Sequence, residues 1–286
     1  MNASRSMSRL RLRCAAVTMF KTGLFQGDVA LITGGGTGIG FATAHELGQL
    51  GAKVALCGRR PEPLAKAAEE LARAGIEAFT TTCDIRDPEQ IKACVEAVKQ
   101  RFGKIDILVN NAGGQFPSAA ETLSPKGFEA VVRNNLLGTF NMTQAVATQV
   151  LIPQKRGRIV NVIAQISRGF PGMIHTGAAR AGVENMTKTL AVDWSGYGIR
   201  VNAVSPGVIK TSGTDQYPPE ILEAAARQTP LRRIGTANEV AHLIVYLASR
   251  QADFITGQNF TIDGGQSLWG SVWEVPEDVP RFVPED

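Results

Sequence analysis

From Val29 onward, short runs rich in Val and Ile alternate with longer segments of helical period, which restricts the chain to repeated strand-helix units around a parallel sheet. Strands are expected at 29–33, 53–57, 78–83, 107–110, 158–163, 200–205 and 259–262. Most read as continuous apolar runs, as strands covered by helices on both faces should. Helices are expected at 39–50, 63–74, 88–102, 125–152, 175–195 and 238–249. Asp87 before Pro88 and Ser124 before Pro125 each place a capping side chain ahead of a proline at the first helical position. The stretch 211–230, with Pro218-Pro219 at its centre, breaks the alternation and reads as a flap over a site.

Between the first strand and the first helix stands Thr33-Gly34-Gly35-Gly36-Thr37-Gly38-Ile39-Gly40. Glycines there let the backbone approach a pyrophosphate, and the helix start offers unpaired N–H groups and a positive dipole end. The expected class is therefore α/β, a single domain with a doubly wound, Rossmann-type parallel sheet of seven strands that binds a dinucleotide. The end of the second strand decides which one. Dinucleotide folds selective for NAD place an acid there, whereas this chain has Cys57-Gly58-Arg59-Arg60. Guanidinium groups hold a 2′-phosphate by forked, charge-assisted hydrogen bonds, so NADPH is the expected cofactor.

The net charge of +4 raises the question of a nucleic-acid partner, but residues 1–21 carry Arg5, Arg9, Arg11, Arg13 and Lys21 with no acid, leaving −1 for the rest. The body is nearly neutral, and no nucleic-acid partner is expected. Residues 1–24 read as a disordered extension, 25–270 as the domain and 271–286 as a tail. No apolar run is long enough to cross a bilayer, so no membrane insertion is expected. Cys14, Cys57, Cys83 and Cys94 show no paired metal spacing and read as reduced, packing thiols of a cytoplasmic protein, with no metal expected. The chain ends Val283-Pro284-Glu285-Asp286, so no peroxisomal Ser-Lys-Leu signal is expected.

With Asp84 after the third strand, Asn110-Asn111-Ala112-Gly113 after the fourth and Ser205-Pro206-Gly207-Val208-Ile209 after the sixth, the chain resembles the short-chain dehydrogenase/reductase family from Asp28 to Gly265. The resemblance implies a cofactor site of Gly34, Thr37, Gly38, Ile39, Gly40, Arg59, Arg60, Asp84, Ile85, Asn111, Ala112, Gly113, Arg180, Pro206, Gly207, Val208, Ile209 and Thr211. It also implies a homo-oligomer, a dimer or tetramer.

The family's Asn-Ser-Tyr-Lys catalytic set is mostly replaced. Asn135 matches, but Ala164 stands at the serine position, Thr176 at the tyrosine position and Arg180 at the lysine position. Ketone reduction needs an acid to protonate the carbonyl oxygen, and an alcohol is too weak. Reduction of a conjugated thioester instead needs donors aimed at an enolate oxygen. The runs Gly113-Gly114-Gln115-Phe116, His175 through Val183, and Ile255-Thr256-Gly257-Gln258 with Asp263-Gly264-Gly265 resemble the peroxisomal trans-2-enoyl-CoA reductase branch. The expected reaction is NADPH-dependent reduction of a trans-2-enoyl-CoA, with Asn135, Thr176 and Arg180 as the catalytic set and an acyl-CoA thioester as substrate. Thr176 is expected to donate its hydroxyl to the thioester carbonyl, or else to bond the helix start; His175 ranks behind it, and Tyr217 in the flap is a replacement donor. Two alternatives stay open: a carbonyl reductase with another acid, and an NADP(H)-binding sensor with weak or absent catalysis.

Overall fold

The computed structural model describes residues 20–214 and 217–268. A seven-stranded, wholly parallel sheet forms the centre, in the order β3-β2-β1-β4-β5-β6-β9. Its strands are β1 (Val29–Thr33), β2 (Lys53–Gly58), β3 (Ala78–Thr82), β4 (Ile107–Asn110), β5 (Gly157–Val162), β6 (Ile199–Pro206) and β9 (Asn259–Ile262). All seven expected strands are present, with ends shifted by a residue or so.

Continuous apolar strands split their side chains between two helical layers, because successive Cβ atoms point to opposite faces. Ala30, Ile32, Val54, Leu56, Ile107 and Val109 pack with α1 (Gly38–Gln49), α2 (Pro61–Arg73) and α8 (Ala237–Ala248). Val29, Leu31, Ala55, Cys57 and Leu108 pack on the other face with α3 (Pro88–Phe102), α5 (Gly138–Val146) and α6 (Ile174–Asp193). Phe20 and Leu24, at the end of the expected extension, pack against the first of these layers. The rest of the extension and the tail at 271–286 lie outside the described residues.

The helix expected at 125–152 runs from Pro125 to Leu151, but not as one regular helix. It divides into α4 (Pro125–Val132), a π-turn over Arg133–Leu137, α5 and a second π-turn over Ala147–Leu151. The first π-turn carries Asn135 and turns it fully inward.

The flap differs more from expectation. Pro218-Pro219 starts a helix rather than breaking one: α7 (Pro219–Gln228) has proline at its first turn, where a missing N–H costs nothing. Two short strands not foreseen from the sequence, β7 (Ile209–Lys210) and β8 (Gly235–Thr236), pair in parallel across the base of this segment. The capping box of Thr236 and Glu239 then starts α8.

At the amino ends of the strands, away from the glycine turn, Asp28 accepts from Arg156 at 2.7 Å and from Arg158 at 2.8 Å. The Arg158 side chain is only 7% exposed, so losing its partner leaves a cation nearly out of water. Asp28→Ala is expected to destabilise the fold by about 3 kcal/mol in chemical denaturation while leaving nucleotide affinity unchanged.

Candidate active site

The strand order reverses between β1 and β4, and the crevice at the carboxyl ends of the strands opens there. A cavity of about 340 Å³ occupies it. Gly34, Thr37, Gly38 and Ile39 line it from the turn after β1, Arg59 and Arg60 from the end of β2, Ile85 from beyond β3, and Asn111, Ala112 and Gly113 from beyond β4.

The turn is built to approach an anion. Gly34 and Gly38 take φ of +64° and +56°, and a Cβ on Gly34 would stand 3.0 Å from Nδ2 of Asn111. Helix α1 begins there with no side-chain cap from Thr37 and no acid in its first turn. Its leading N–H groups and positive dipole end are thus left for a ligand's negative charge. Asn111 fixes the turn by donating through Nδ2 to the carbonyls of Thr33 and Gly34, while the Thr33 hydroxyl accepts from the amides of Asn111 and Ala112. This uncapped cradle beside two arginines fits a dinucleotide phosphate.

Three expected cofactor residues stand back from the cavity wall. Gly40 sits behind the turn, where a Cβ would press on Nδ2 of Asn111 at 2.5 Å. Asp84 turns to Arg86, whose hydrogen bond, at Nε 2.9 Å from Oδ1, holds the carboxyl below the usual carboxylate range. Arg180 lies deeper and is taken up below.

A second cavity, of about 640 Å³, shares Ile39 and Thr211 with the first. Pro206, Gly207, Val208, Ile209 and Thr211, from the end of β6 and the segment beyond it, line it. Tyr217, from the segment leading into α7, and Ile221 and Leu222, from α7 itself, close it, and Ala164 stands in its wall. Sequence reasoning missed the opposite wall, where Gln165, Arg168, Phe170, Pro171 and Met173 contribute from the loop after β5, and Gln266 and Ser267 from beyond β9. That loop has no periodicity to reveal which residues face inward.

Asn135 accepts from the Gly114 amide at 3.2 Å and donates to the Gly114 carbonyl at 2.7 Å, so it fixes the loop that carries Gly113 into the cofactor cavity. Thr176 is fully buried and lines neither cavity. Its amide donates to Nδ1 of His175 at 2.7 Å, and its hydroxyl lies 3.2 Å from the same nitrogen. The His175 ring is packed edge-on against Phe116, 4.7 Å between centroids, with Nε2 unpartnered. Arg180 is 8% exposed, donates Nη1 to the Val162 carbonyl at 3.0 Å, and leaves Nε unpartnered. Burial pulls its pKa well below the ordinary guanidinium value, to about 10.

Three cysteines from separate elements also meet here. Cys57 at the end of β2, Cys83 after β3 and Cys94 on α3 bring their sulfur atoms within 4.8 Å of one another, although nothing in their sequence spacing suggests it. Cys14 lies outside the described residues.

A family profile described as Enoyl-(Acyl carrier protein) reductase matches residues 34–267. The peroxisomal 2,4-dienoyl-CoA reductase [(3E)-enoyl-CoA-producing] of Arabidopsis thaliana is 39% identical over 93% of this chain and 90% of its own length. The 3-oxoacyl-[acyl-carrier-protein] reductase FabG of Thermotoga maritima is 40% identical over 84% of this chain and 98% of its own. Among solved structures, the citronellol catabolism dehydrogenase AtuB of Pseudomonas aeruginosa PAO1 superposes with a TM-score of 0.80 at 45% identity, covering 87% of this chain and 99% of that one.

Proposed function

Because the chain belongs to the short-chain dehydrogenase/reductase family of oxidoreductases, we propose that its reaction is the NADPH-dependent reduction of a conjugated acyl-CoA, with a 2,4-dienoyl-CoA as the preferred substrate. One observation carries this reading: where a ketone reductase needs a hydroxyl and a phenol, the wall of the larger cavity has Ala164, and position 176 is a buried threonine, while the cation at 180 is kept. The sequence reading favoured a trans-2-enoyl-CoA; the dienoyl-CoA reductases among the relatives move the preference to the longer conjugated system.

NADPH, when bound, supplies a hydride. Net addition of hydride at the far end of a dienoyl thioester puts negative charge on the thioester oxygen, and a proton at the α-carbon then leaves a 3-enoyl product. No alkoxide forms, so no phenol is required; a fixed positive charge and a proton from a weak acid suffice. Arg180 supplies the charge and, remaining protonated near neutral pH, takes no part in proton relay. Asn135 and Thr176 are positioning residues, the first through the Gly114 backbone and the second through Nδ1 of His175. Tyr217 offers a hydroxyl beside the cavity for the α-proton. Ile221, Leu222 and Phe170 give the acyl chain an apolar wall, and the exposed Arg168 offers a cation to the CoA phosphates. Arg59 and Arg60 favour NADPH over NADH.

The test is NADPH consumption with a 2,4-dienoyl-CoA, a trans-2-enoyl-CoA and a 3-oxoacyl-CoA, beside a cofactor titration without substrate. Turnover is expected with the conjugated thioesters, fastest with the dienoyl substrate, whose product carries its double bond at carbon 3. Brisk reduction of the 3-oxo substrate with none of the conjugated ones overturns the reading. Tight NADPH binding without any turnover makes the chain a sensor instead.

A further inference from the structure

We propose that Cys57, Cys83 and Cys94 form a three-sulfur site for one soft, closed-shell metal ion, entered from the nucleotide cavity and blocked when that cavity is filled. Buried cysteines usually serve as small apolar side chains, and all three do pack in the core layer beneath β2 and β3. Two features take the trio further. Three separate elements converge so that every sulfur lies within 4.8 Å of the other two. Sulfurs around one ion at the usual metal-thiolate distance stand about 4 Å apart, so closing on an ion needs movements of under about 1 Å.

The second feature is access. The sulfurs are shut off from bulk solvent, with the residues at most 1% exposed, yet Cys57 and Cys83 both form part of the floor of the nucleotide cavity beside Gly58 and Ile85. An ion therefore reaches them through the place a dinucleotide would occupy. Each thiol that becomes a ligand gives its proton to solvent, and no electron is transferred. Among the described residues no His, Asp or Glu joins the group, so sulfur alone sets the preference, which selects thiophilic ions over hard ones.

The experiment titrates the reduced, metal-free full-length protein with Cd²⁺ alone, following the sulfur-to-cadmium charge-transfer absorbance. One equivalent per chain is expected. The absorbance should survive Cys14→Ala and fall at least tenfold in apparent affinity in each of Cys57→Ala, Cys83→Ala and Cys94→Ala. Should a core variant fail to fold, the ¹¹³Cd resonance of the unaltered protein decides, since a shift in the range of all-sulfur ligation is expected. A shift typical of oxygen or nitrogen donors, an absent band, or a band lost only with Cys14 overturns the site. Saturating NADPH should weaken Cd²⁺ uptake at least tenfold, and equal filling with and without it overturns the shared entrance. That arm rests on the nucleotide reading, which the quenching or enhancement of NADPH fluorescence by metal-free protein tests separately; failure there leaves the cadmium band standing.

Discussion

Replacing Arg180 with methionine is expected to abolish most activity while making the protein more stable. The guanidinium is buried, and among the described residues no carboxylate pairs with it: its one described hydrogen bond goes to the Val162 carbonyl, and Nε has no partner there. Burial alone accounts for its lowered pKa of about 10. A base whose folded pKa is depressed is charged in both states below that pH, so the folded protein carries the full desolvation cost at neutrality, of order 3 kcal/mol. Methionine fills similar space without charge. After allowance for the lost hydrogen bond, a net gain of about 1–2 kcal/mol is expected in denaturant unfolding. The sign has a pH signature: the gap between variant and wild type stays constant from pH 6 to 9 and narrows above about pH 10, as the wild type sheds the proton and its stability recovers. Activity moves the other way. If Arg180 faces the developing enolate charge, kcat/KM for a dienoyl-CoA falls about 10²-fold or more with NADPH affinity changed far less. A variant that is less stable, or that keeps full turnover, removes Arg180 from the proposed role.

A buried cation with no counter-charge among the described residues is the kind of local conflict that marks a functional site, because a fold selected only for stability would have paired or replaced it. The same contrast separates what was legible in this sequence from what was not. The sheet could be read because each strand is a short apolar run bounded by punctuation, and the glycine turn because Gly34 to Gly40 leads from β1 into α1. The place of Arg59 and Arg60 on the wall of the first cavity was legible because parallel pairing sets the end of β2 beside the turn after β1. Helix α7 was not, since Pro218-Pro219 signals a break and a helix start alike, and only packing over the larger cavity distinguishes them. Nor was the burial of Thr176: a helix start was one of its two expected roles, but the packing of the adjacent His175 against Phe116 is tertiary. The cysteine trio was least visible, because its members are brought together only by the parallel pairing of β2 with β3 and the docking of α3.

Reversing the charge at position 59 should change which nucleotide the protein prefers. Arg59 and Arg60 line the cavity at the end of β2, where the adenosine ribose of a dinucleotide bound across the switch point lies. A guanidinium there contributes charge-assisted hydrogen bonds to a 2′-phosphate, each of order 1.5–3 kcal/mol, and nothing comparable to a free 2′-hydroxyl. Arg59→Asp removes that contact and adds repulsion, while the new carboxylate accepts from the ribose hydroxyls of NADH. NADPH affinity is therefore expected to fall about 10²-fold or more, with NADH affinity unchanged or improved. Arg59→Met separates the two contributions, since it loses the bonds without adding repulsion and should fall between wild type and aspartate for NADPH. Fluorescence titrations of both nucleotides at two salt concentrations check the cause: the wild-type preference for NADPH should shrink as salt screens the phosphate, whereas the aspartate variant's preference should change little. If Arg59→Asp binds NADPH as well as wild type does, the 2′-phosphate is not held at this end of β2. Arg60→Asp then becomes the variant that decides between its neighbour and no arginine contact at all.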